Sequence, residues 1–194
     1  MPGSSGKSKK VIVTNKKAAS IDELVVQFES IKGYFIRDKK LCCFVKKEPF
    51  NVCLQTVTEK VGAIGSPALW QNGEQQTVAK HILALHIDDR LNKGDRGLIG
   101  DLSNIKVSFS DYDLLHFFSR YCCVHQPEHF AIYSSSTLKI IQSKYSNFEF
   151  TGKESYEDYW KGVNLILNDL DITMLNYFCA EKFFWLYEYQ LLNS

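Results

Sequence analysis

Apolar residues recur at spacings of three and four along most of this chain, and runs that alternate apolar and polar residues are scarce. That spacing gathers apolar side chains on one face of an α-helix, whereas a half-exposed strand needs alternation. The clearest run should begin at a Thr77 cap and carry an apolar face made by Val78, Ile82, Leu85 and Leu91. The sequence therefore predicts an all-α fold, a multi-helix domain of about seven or eight helices.

Capping and breaking residues predict where the helices of the first half begin and end. Ser20, followed by acidic residues and an apolar face, should start a helix that Gly33 ends. The next segment favours two helices broken near Pro49, because proline lacks a backbone N–H. The stretch NKGDRGLIGD, residues 92–101, predicts a glycine-rich turn that stops the Thr77 helix.

Four helices are predicted in the second half of the chain. Ser110 or Asp111 should cap the first of them, and Pro127 should end its continuity. The serine run at residues 134–136 should open the second. The last two are expected over residues 154–169 and 171–192, each with an aromatic-rich apolar face.

The length of the chain suits one core, so residues 20–194 are expected to form a single α-helical domain. Residues 1–19, rich in glycine, serine and lysine, are expected to be a flexible basic arm or an expression-tag remnant. No apolar run approaches the roughly 18–20 residues that cross a bilayer, and the first residues lack the apolar region of a signal peptide. We therefore expect a cytoplasmic protein without a membrane partner.

Charge is distributed unevenly along the chain. Residues 1–60 carry 12 Lys and Arg against 6 Asp and Glu, whereas residues 61–194 carry 11 against 16. A protein that binds chiefly through phosphates is usually more basic than this near-neutral total. Any nucleic-acid contact is therefore expected to come from a local basic patch.

The stretch YCCVHQPEHFAIYSSSTLKII, residues 121–141, concentrates residue types that carry chemistry. Zinc could use Cys122, Cys123, His125 and His129, although neighbouring cysteines do not readily share one tetrahedral ion and the sequence has no C-x-x-C motif. A hydrolase could instead use Cys122 or Cys123 as its nucleophile and His125 as its base. Cysteines that end an aromatic-rich helix are more often buried thiols, so we expect packing residues here, with no metal and no cofactor.

The longer segment DLLHFFSRYCCVHQPEHFAIYSSSTLKII resembles the helix-hairpin-helix DNA glycosylases, in particular their bacterial 8-oxoguanine-glycosylase-like branch. In that branch a helix of the type F-A-T-K-Y-C leads through an H-x-P turn and an aromatic-Pro-Ile-Tyr-Asp entry into a further helix. The counterparts in this sequence are FFSRYC, HQP, FAIYS and STLKII. The likeness extends over residues 77–190 and implies an all-α, glycosylase-like domain that acts in DNA repair on oxidised purines.

The resemblance also implies which residues occupy the catalytic positions. These glycosylases use an Asp at the start of a helix to steady the cationic sugar, and some add a Lys amine that attacks it. The Asp position is Ser134 here and the Lys position is Arg120. A hydroxyl carries no charge and a guanidinium is not a nucleophilic amine, so the resemblance implies a DNA N-glycosylase-like protein with impaired catalysis. Ala131 in place of the family's proline, and the missing L-P-G-x-G loop, point the same way.

Nucleic-acid binding could survive the loss of catalysis. Arg120, Lys139 and Lys144 form a local excess of positive charge, and the head of the Ser134 helix suits a phosphate. His125 could add positive charge below about pH 6.5. DNA is therefore the expected partner, with Lys139, Lys144 and His125 among its contacts. The alternative is a non-enzymatic module with the same helical fold that binds a protein partner.

Overall fold

A computed structural model describes residues 23–24, 26–27, 36–65, 70, 73–145, 148, 155–172 and 176–193 of the chain. Nine α-helices with defined bounds occupy most of these residues, and no strand occurs among them, which confirms the predicted all-α fold. In chain order the helices are α1 (Ile36–Lys47), α2 (Leu54–Ile64), α3 (Glu74–Ala84), α4 (Asp88–Asn92), α5 (Gly97–Ser103), α6 (Asp111–His125), α7 (Ser135–Lys144), α8 (Tyr156–Asp169) and α9 (Tyr177–Asn193). The arm at residues 1–19 and the cap at Ser20 lie outside the described residues. None of the described helices is both long and apolar enough to cross a bilayer.

Helices α1 and α2 are separated around Pro49, as predicted. The first ends at Lys47, and residues 48–53 connect it to the second. The buried face of α2 contains Lys60 beside the apolar Val57 and Val61. The connection between the two helices therefore lies next to a buried cation.

The predicted start of the next helix at Thr77 is wrong. The helix α3 begins at Glu74, because Gly73 adopts a left-handed φ of 82° and its carbonyl oxygen accepts the backbone N–H of Thr77 at 3.3 Å. The predicted run is also not one helix, because His86 takes a positive φ of 45° between α3 and α4. The apolar face continues across this break.

The glycine-rich stretch holds a turn followed by a helix, where a turn alone was predicted. Gly94 takes a φ of 65° in the turn, and Asp95 Oδ1 accepts the backbone N–H of Gly97 at the head of α5. Arg90 binds Asp95 and Asp101, each at 2.7 Å, and so links the turn to the body of α5. These contacts offset the low helix propensity of the two glycines in α5.

Helix α6 begins and ends where the sequence predicted. Ser110 Oγ accepts the backbone N–H of Asp113 at 3.2 Å, which caps the helix. The last helical residue is His125, two positions before Pro127. Ser155 caps α8 in the same way.

Helix α9 begins at Tyr177, later than the predicted start at residue 171. Asp171 has a positive φ of 53°, and the backbone N–H of Ile172 bonds back to the carbonyl of Leu167 at 2.9 Å. This backbone geometry closes the end of α8 and turns the chain before α9 can start.

Helix α6 lies at the centre of the core. A single cluster of buried apolar side chains extends from α1 to α9, and Phe118 and Tyr121 of α6 have no exposed surface. Residues 130–134 have no regular secondary structure and run beside α6, where Tyr133 donates its backbone N–H to Ser119 Oγ at 2.8 Å. The start of α7 is thereby fixed against α6.

Candidate functional site

Ser134 heads α7, as predicted. Its Oγ accepts the backbone N–H of Thr137 at 3.2 Å and shares a 2.8 Å hydrogen bond with Thr137 Oγ1. The backbone N–H of Ser134 donates to the hydroxyl of Tyr159 at 3.2 Å, and only 8% of the residue is exposed. A crevice whose wall includes Thr137 and Tyr159 has no room for a water molecule. The Ser134 hydroxyl is thus committed to the helix cap.

Arg120, the second residue aligned with catalysis, lies on α6 and is half-buried. Its neighbour Ser119 accepts the backbone N–H of Tyr133 at 2.8 Å, and Tyr133 directly precedes Ser134. The structure therefore brings together the backbone beside the two aligned positions. The helices α6 and α7 start where the capping residues Ser110 and Ser134 predicted them.

Lys139 and Lys144 both lie on α7 and are exposed. The ammonium of Lys139 pairs with Glu188 of α9 at 3.3 Å. Because Lys144 follows Lys139 by five positions, their side chains leave the helix about 140° apart. The positive charge on α7 is therefore spread around the helix and is partly offset at Lys139.

His125 lies at the C-terminal end of α6 and stacks on Tyr121, with ring centroids 5.0 Å apart and planes 30° apart. Burial lowers the pKa of His125 to about 3, and the charge of Lys60 acts in the same direction. A hydrogen bond with the backbone of Pro49 opposes this shift only in part. The expectation that His125 gains positive charge below about pH 6.5 is therefore wrong. Contact of this residue with DNA stays a prediction.

Cys122 and Cys123 are buried thiols, as expected for packing residues. Neither has any exposed surface, and burial raises the pKa of both thiols well above the usual range. A thiol is a poor nucleophile until it ionises, and His125 is too weak a base to ionise it, so the hydrolase hypothesis is wrong. Within the described ranges, no group of three or more His, Cys, Asp or Glu is arranged to hold a metal ion.

A buried polar network that the sequence did not predict lies beneath the connection between α1 and α2. Asn51 is 4% exposed and donates its backbone N–H and its Nδ2 to the carboxylate of Asp88 at 2.9 and 2.6 Å. Its Oδ1 accepts hydrogen bonds from Lys60 Nζ at 3.1 Å and from the hydroxyl of Tyr121 at 2.6 Å. Side chains from α2, α4 and α6 therefore converge on one loop residue and fix it.

Lys60 is the cation of this network and has no exposed surface. Its ammonium also donates to the carbonyl oxygen of Phe50 at 2.9 Å. Burial lowers the pKa of Lys60 to about 8, although the charges of Asp88 and Glu48 favour the protonated form. The burial of Lys60 could have been predicted from its spacing in the sequence. Lys60 follows Val57 by three residues and so lies on the apolar face of α2.

A cavity of about 180 Å³ opens beside the network, between α1, α4 and α6. Its wall combines ring, amide and charged side chains, among them Lys46, Phe50, Asp88, Asn92, His125 and Gln126. His125 is the one predicted site residue that contributes to this wall. The cavity is therefore a different place from the aligned positions Ser134 and Arg120.

Comparisons with known proteins match the first part of the chain. Residues 20–129 match the HI_0787_N family, which is described as an N-terminal domain. An uncharacterized protein of Haemophilus influenzae is 27% identical over 112 residues, which cover 56% of this chain and 54% of that protein, so the match spans about half of this relative. No solved structure matches the chain. The buried network and the cavity lie inside the family match, whereas Ser134, Lys139 and Lys144 lie beyond it.

Proposed function

The chain belongs to the HI_0787_N family, and we propose that it is a DNA-binding protein of the helix-hairpin-helix glycosylase type that has lost glycosylase chemistry. The observation that carries this proposal is the position of Ser134. It heads α7 at the end of residues 130–134, which follow the turn after α6, and it occupies the position where the resemblance expects an Asp. Its neutral hydroxyl bonds to Thr137. By analogy alone, the substrate class is duplex DNA with an oxidised purine, bound in the bacterial cytoplasm.

Neither aligned residue supplies the chemistry of bond cleavage. A departing base leaves positive charge on the sugar, which a carboxylate stabilises and the neutral hydroxyl of Ser134 does not. The guanidinium of Arg120 stays protonated at any working pH, so it cannot attack the sugar as an amine. Both residues therefore favour binding without cleavage.

The proposed DNA contact runs along α7. The first backbone N–H groups of a helix attract phosphate, and Lys139 and Lys144 add positive charge further along. Lys139 must leave Glu188 before it can bind a phosphate, because the two side chains form an ion pair of 3.3 Å. We therefore assign the larger contribution to Lys144.

Fluorescence anisotropy with a labelled duplex, measured over a series of salt concentrations, tests the DNA contact. The logarithm of the binding constant should fall linearly with the logarithm of salt concentration, and Lys144→Ala should reduce that slope by about 0.9. Lys80→Ala is the matched control, because Lys80 is also exposed but lies on α3. Binding that does not depend on salt, or equal slopes for the two variants, would overturn the proposed contact.

Catalysis is tested separately by borohydride trapping on a duplex that contains an oxidised guanine. We expect neither a covalent protein–DNA adduct nor a released base, because Ser134 and Arg120 provide no carboxylate and no nucleophilic amine. Efficient trapping would refute the loss of lyase chemistry while leaving the DNA contact intact.

A non-enzymatic protein-interaction module is the competing proposal. It is favoured by Phe50 and Val52, two apolar residues that are 62% and 78% exposed on the connection between α1 and α2. If the anisotropy experiment shows no salt-dependent DNA binding, the protein-interaction module is the favoured function. In that case Phe50→Ser with Val52→Ser should weaken partner binding while circular dichroism reports an unchanged helical fold.

A further inference from the structure

The cavity between α1, α4 and α6 takes no part in the proposed DNA contact, because α7 contributes nothing to its wall. We infer that this cavity binds a nucleobase, an uncharged planar heterocycle whose edge carries a hydrogen-bond donor next to an acceptor. The inference goes beyond the proposed function, since it involves neither of the aligned positions, Ser134 and Arg120.

The charged groups in the wall of the cavity balance each other. Lys46 brings one positive charge and Asp88 one negative charge. Both oxygens of Asp88 already accept hydrogen bonds from Asn51, and His125 is neutral because burial lowers its pKa. An uncharged ligand leaves the contacts of Asp88 in place, and the exposed ammonium of Lys46 stays hydrated beside it.

Two amide side chains give the cavity a paired donor and acceptor. Gln126 Nε2 donates to Asn92 Oδ1 at 2.8 Å, and neither side chain makes a further hydrogen bond within the described part of the chain. After this bond Gln126 keeps one N–H group and its Oε1, and Asn92 keeps both of its own N–H groups, so the pair still offers amide donors next to an amide oxygen acceptor. The hydrogen-bonding edge of a nucleobase presents the complementary pair.

Ring side chains line the rest of the wall. Phe50 is 62% exposed at the cavity, and Pro49 lies next to it. The imidazole of His125 is supported from behind by Tyr121, and its Nε2 is shielded from solvent without a hydrogen-bond partner in the described residues. A planar heterocycle can stack on the Phe50 ring, with Pro49 and the imidazole of His125 beside it in the wall.

The buried network holds the cavity ready for a ligand. Asn51 is fixed by Asp88, Lys60 and Tyr121, and it directly follows Phe50 in the chain. Lys60 also binds the carbonyl oxygen of Phe50 itself. Because the backbone beneath the ring is already ordered, binding needs little further loss of conformational entropy.

Titration of the whole chain with adenosine, guanosine, cytidine and uridine, followed by calorimetry, tests the inference. At least one nucleoside should bind, and ribose 5-phosphate, which has a charge and no base, should not. Gln126→Leu should weaken nucleoside binding about tenfold, the effect expected for one hydrogen bond. Gln142→Leu is the matched control, since Gln142 is an exposed glutamine on α7.

Phe50→Ala is the second test variant, because an exposed side chain can be removed without disturbing the core. It should also weaken nucleoside binding, and thermal unfolding of each variant reports whether the fold is retained. The inference is overturned if no nucleoside binds, or if both Gln126→Leu and Phe50→Ala bind as tightly as the wild type. Free nucleosides carry no phosphate, so this outcome does not depend on the DNA contact proposed for Lys144.

A final arm identifies the source of the base. A duplex with one unpaired base and the same duplex fully paired are compared in the presence and absence of the best nucleoside. Competition by the nucleoside against the unpaired-base duplex alone identifies an extrahelical base as the ligand. Nucleoside binding without such competition identifies a free nucleoside or nucleobase.

Discussion

The ammonium of Lys60 lies 3.1 Å from Oδ1 of Asn51, and the two residues are 0% and 4% exposed. Removing an ammonium from water costs free energy, which the hydrogen bonds to Asn51 and Phe50 offset in part. Desolvation outweighs the attraction of Asp88, and the pKa of Lys60 falls to about 8. The loop that carries Phe50 is therefore held by a buried ammonium group, and keeping that group protonated in the folded protein costs free energy.

Lys60→Met should flatten the dependence of stability on alkaline pH. The pKa of Lys60 is about 8 in the folded protein and 10.5 for an unperturbed lysine, so between these values the unfolded chain binds the additional proton. The contribution of Lys60 to the free energy of unfolding should therefore rise across this window, by at most about 3 kcal/mol. Below the folded pKa both states are protonated, and the contribution stays constant.

Urea unfolding at several values between about pH 8 and pH 10 measures this difference. Lys80→Met, on the exposed side of α3, should keep the pH dependence of the wild type. Equal slopes for Lys60→Met and the wild type would contradict the burial of a charged Lys60.

Helix boundaries could be predicted where serine residues cap them. Ser110 and Ser134 start α6 and α7 at the predicted places, because a serine hydroxyl satisfies a free N–H of the first turn. Thr77 failed as a cap because Gly73 turns the chain earlier through a left-handed conformation. Glycine takes such conformations readily, so its position alone did not reveal which turn would form.

The candidate cavity was less predictable than the helices around it. His125 was recognisable as a residue with possible chemistry, but its neutral state depends on burial that only the folded chain creates. Asn51 lies 37 residues from Asp88 and 9 from Lys60, and none of these residue types is unusual. Tertiary packing brings them together, and the position of Lys60 on the apolar face of α2 is the one local sign of this network in the sequence.

Acid should destabilise the protein through His125. Burial sets its folded pKa to about 3 against 6.5 for an unperturbed imidazole, so between these values the unfolded chain holds the additional proton. The free energy of unfolding should fall as the pH drops through this window, by at most about 1.4 kcal/mol per pH unit. His125→Gln should remove this part of the acid dependence in urea unfolding.

His129→Gln serves as the control for His125→Gln, because His129 is exposed. It should leave the acid dependence unchanged. If both variants behave like the wild type, His125 is not buried as a neutral imidazole.

The cysteines should differ sharply in their reaction with iodoacetamide. Cys53 is exposed, and the nearby backbone of Thr56 and Gln55 at the start of α2 lowers its pKa, so it should be alkylated first. Cys122 and Cys123 should react only on unfolding, because burial raises the pKa of both and excludes the reagent. Mass spectrometry of peptides after timed labelling gives the order. Early labelling of Cys122 would contradict its burial and would support a nucleophilic role for that thiol.

Ser134→Ala should lower the free energy of unfolding by about 1 kcal/mol, the usual cost of losing a serine cap. The substitution removes the acceptor for the backbone N–H of Thr137 in a position that is 8% exposed, where water cannot easily replace it. Ser134→Asn should retain most of the stability, because asparagine caps a helix about as well as serine. Ser143→Ala, at an exposed position of α7, provides the comparison in urea unfolding. A catalytic carboxylate would occupy the same place as this cap. If Ser134→Ala leaves the free energy of unfolding unchanged, the hydroxyl does not stabilise α7 and has another role.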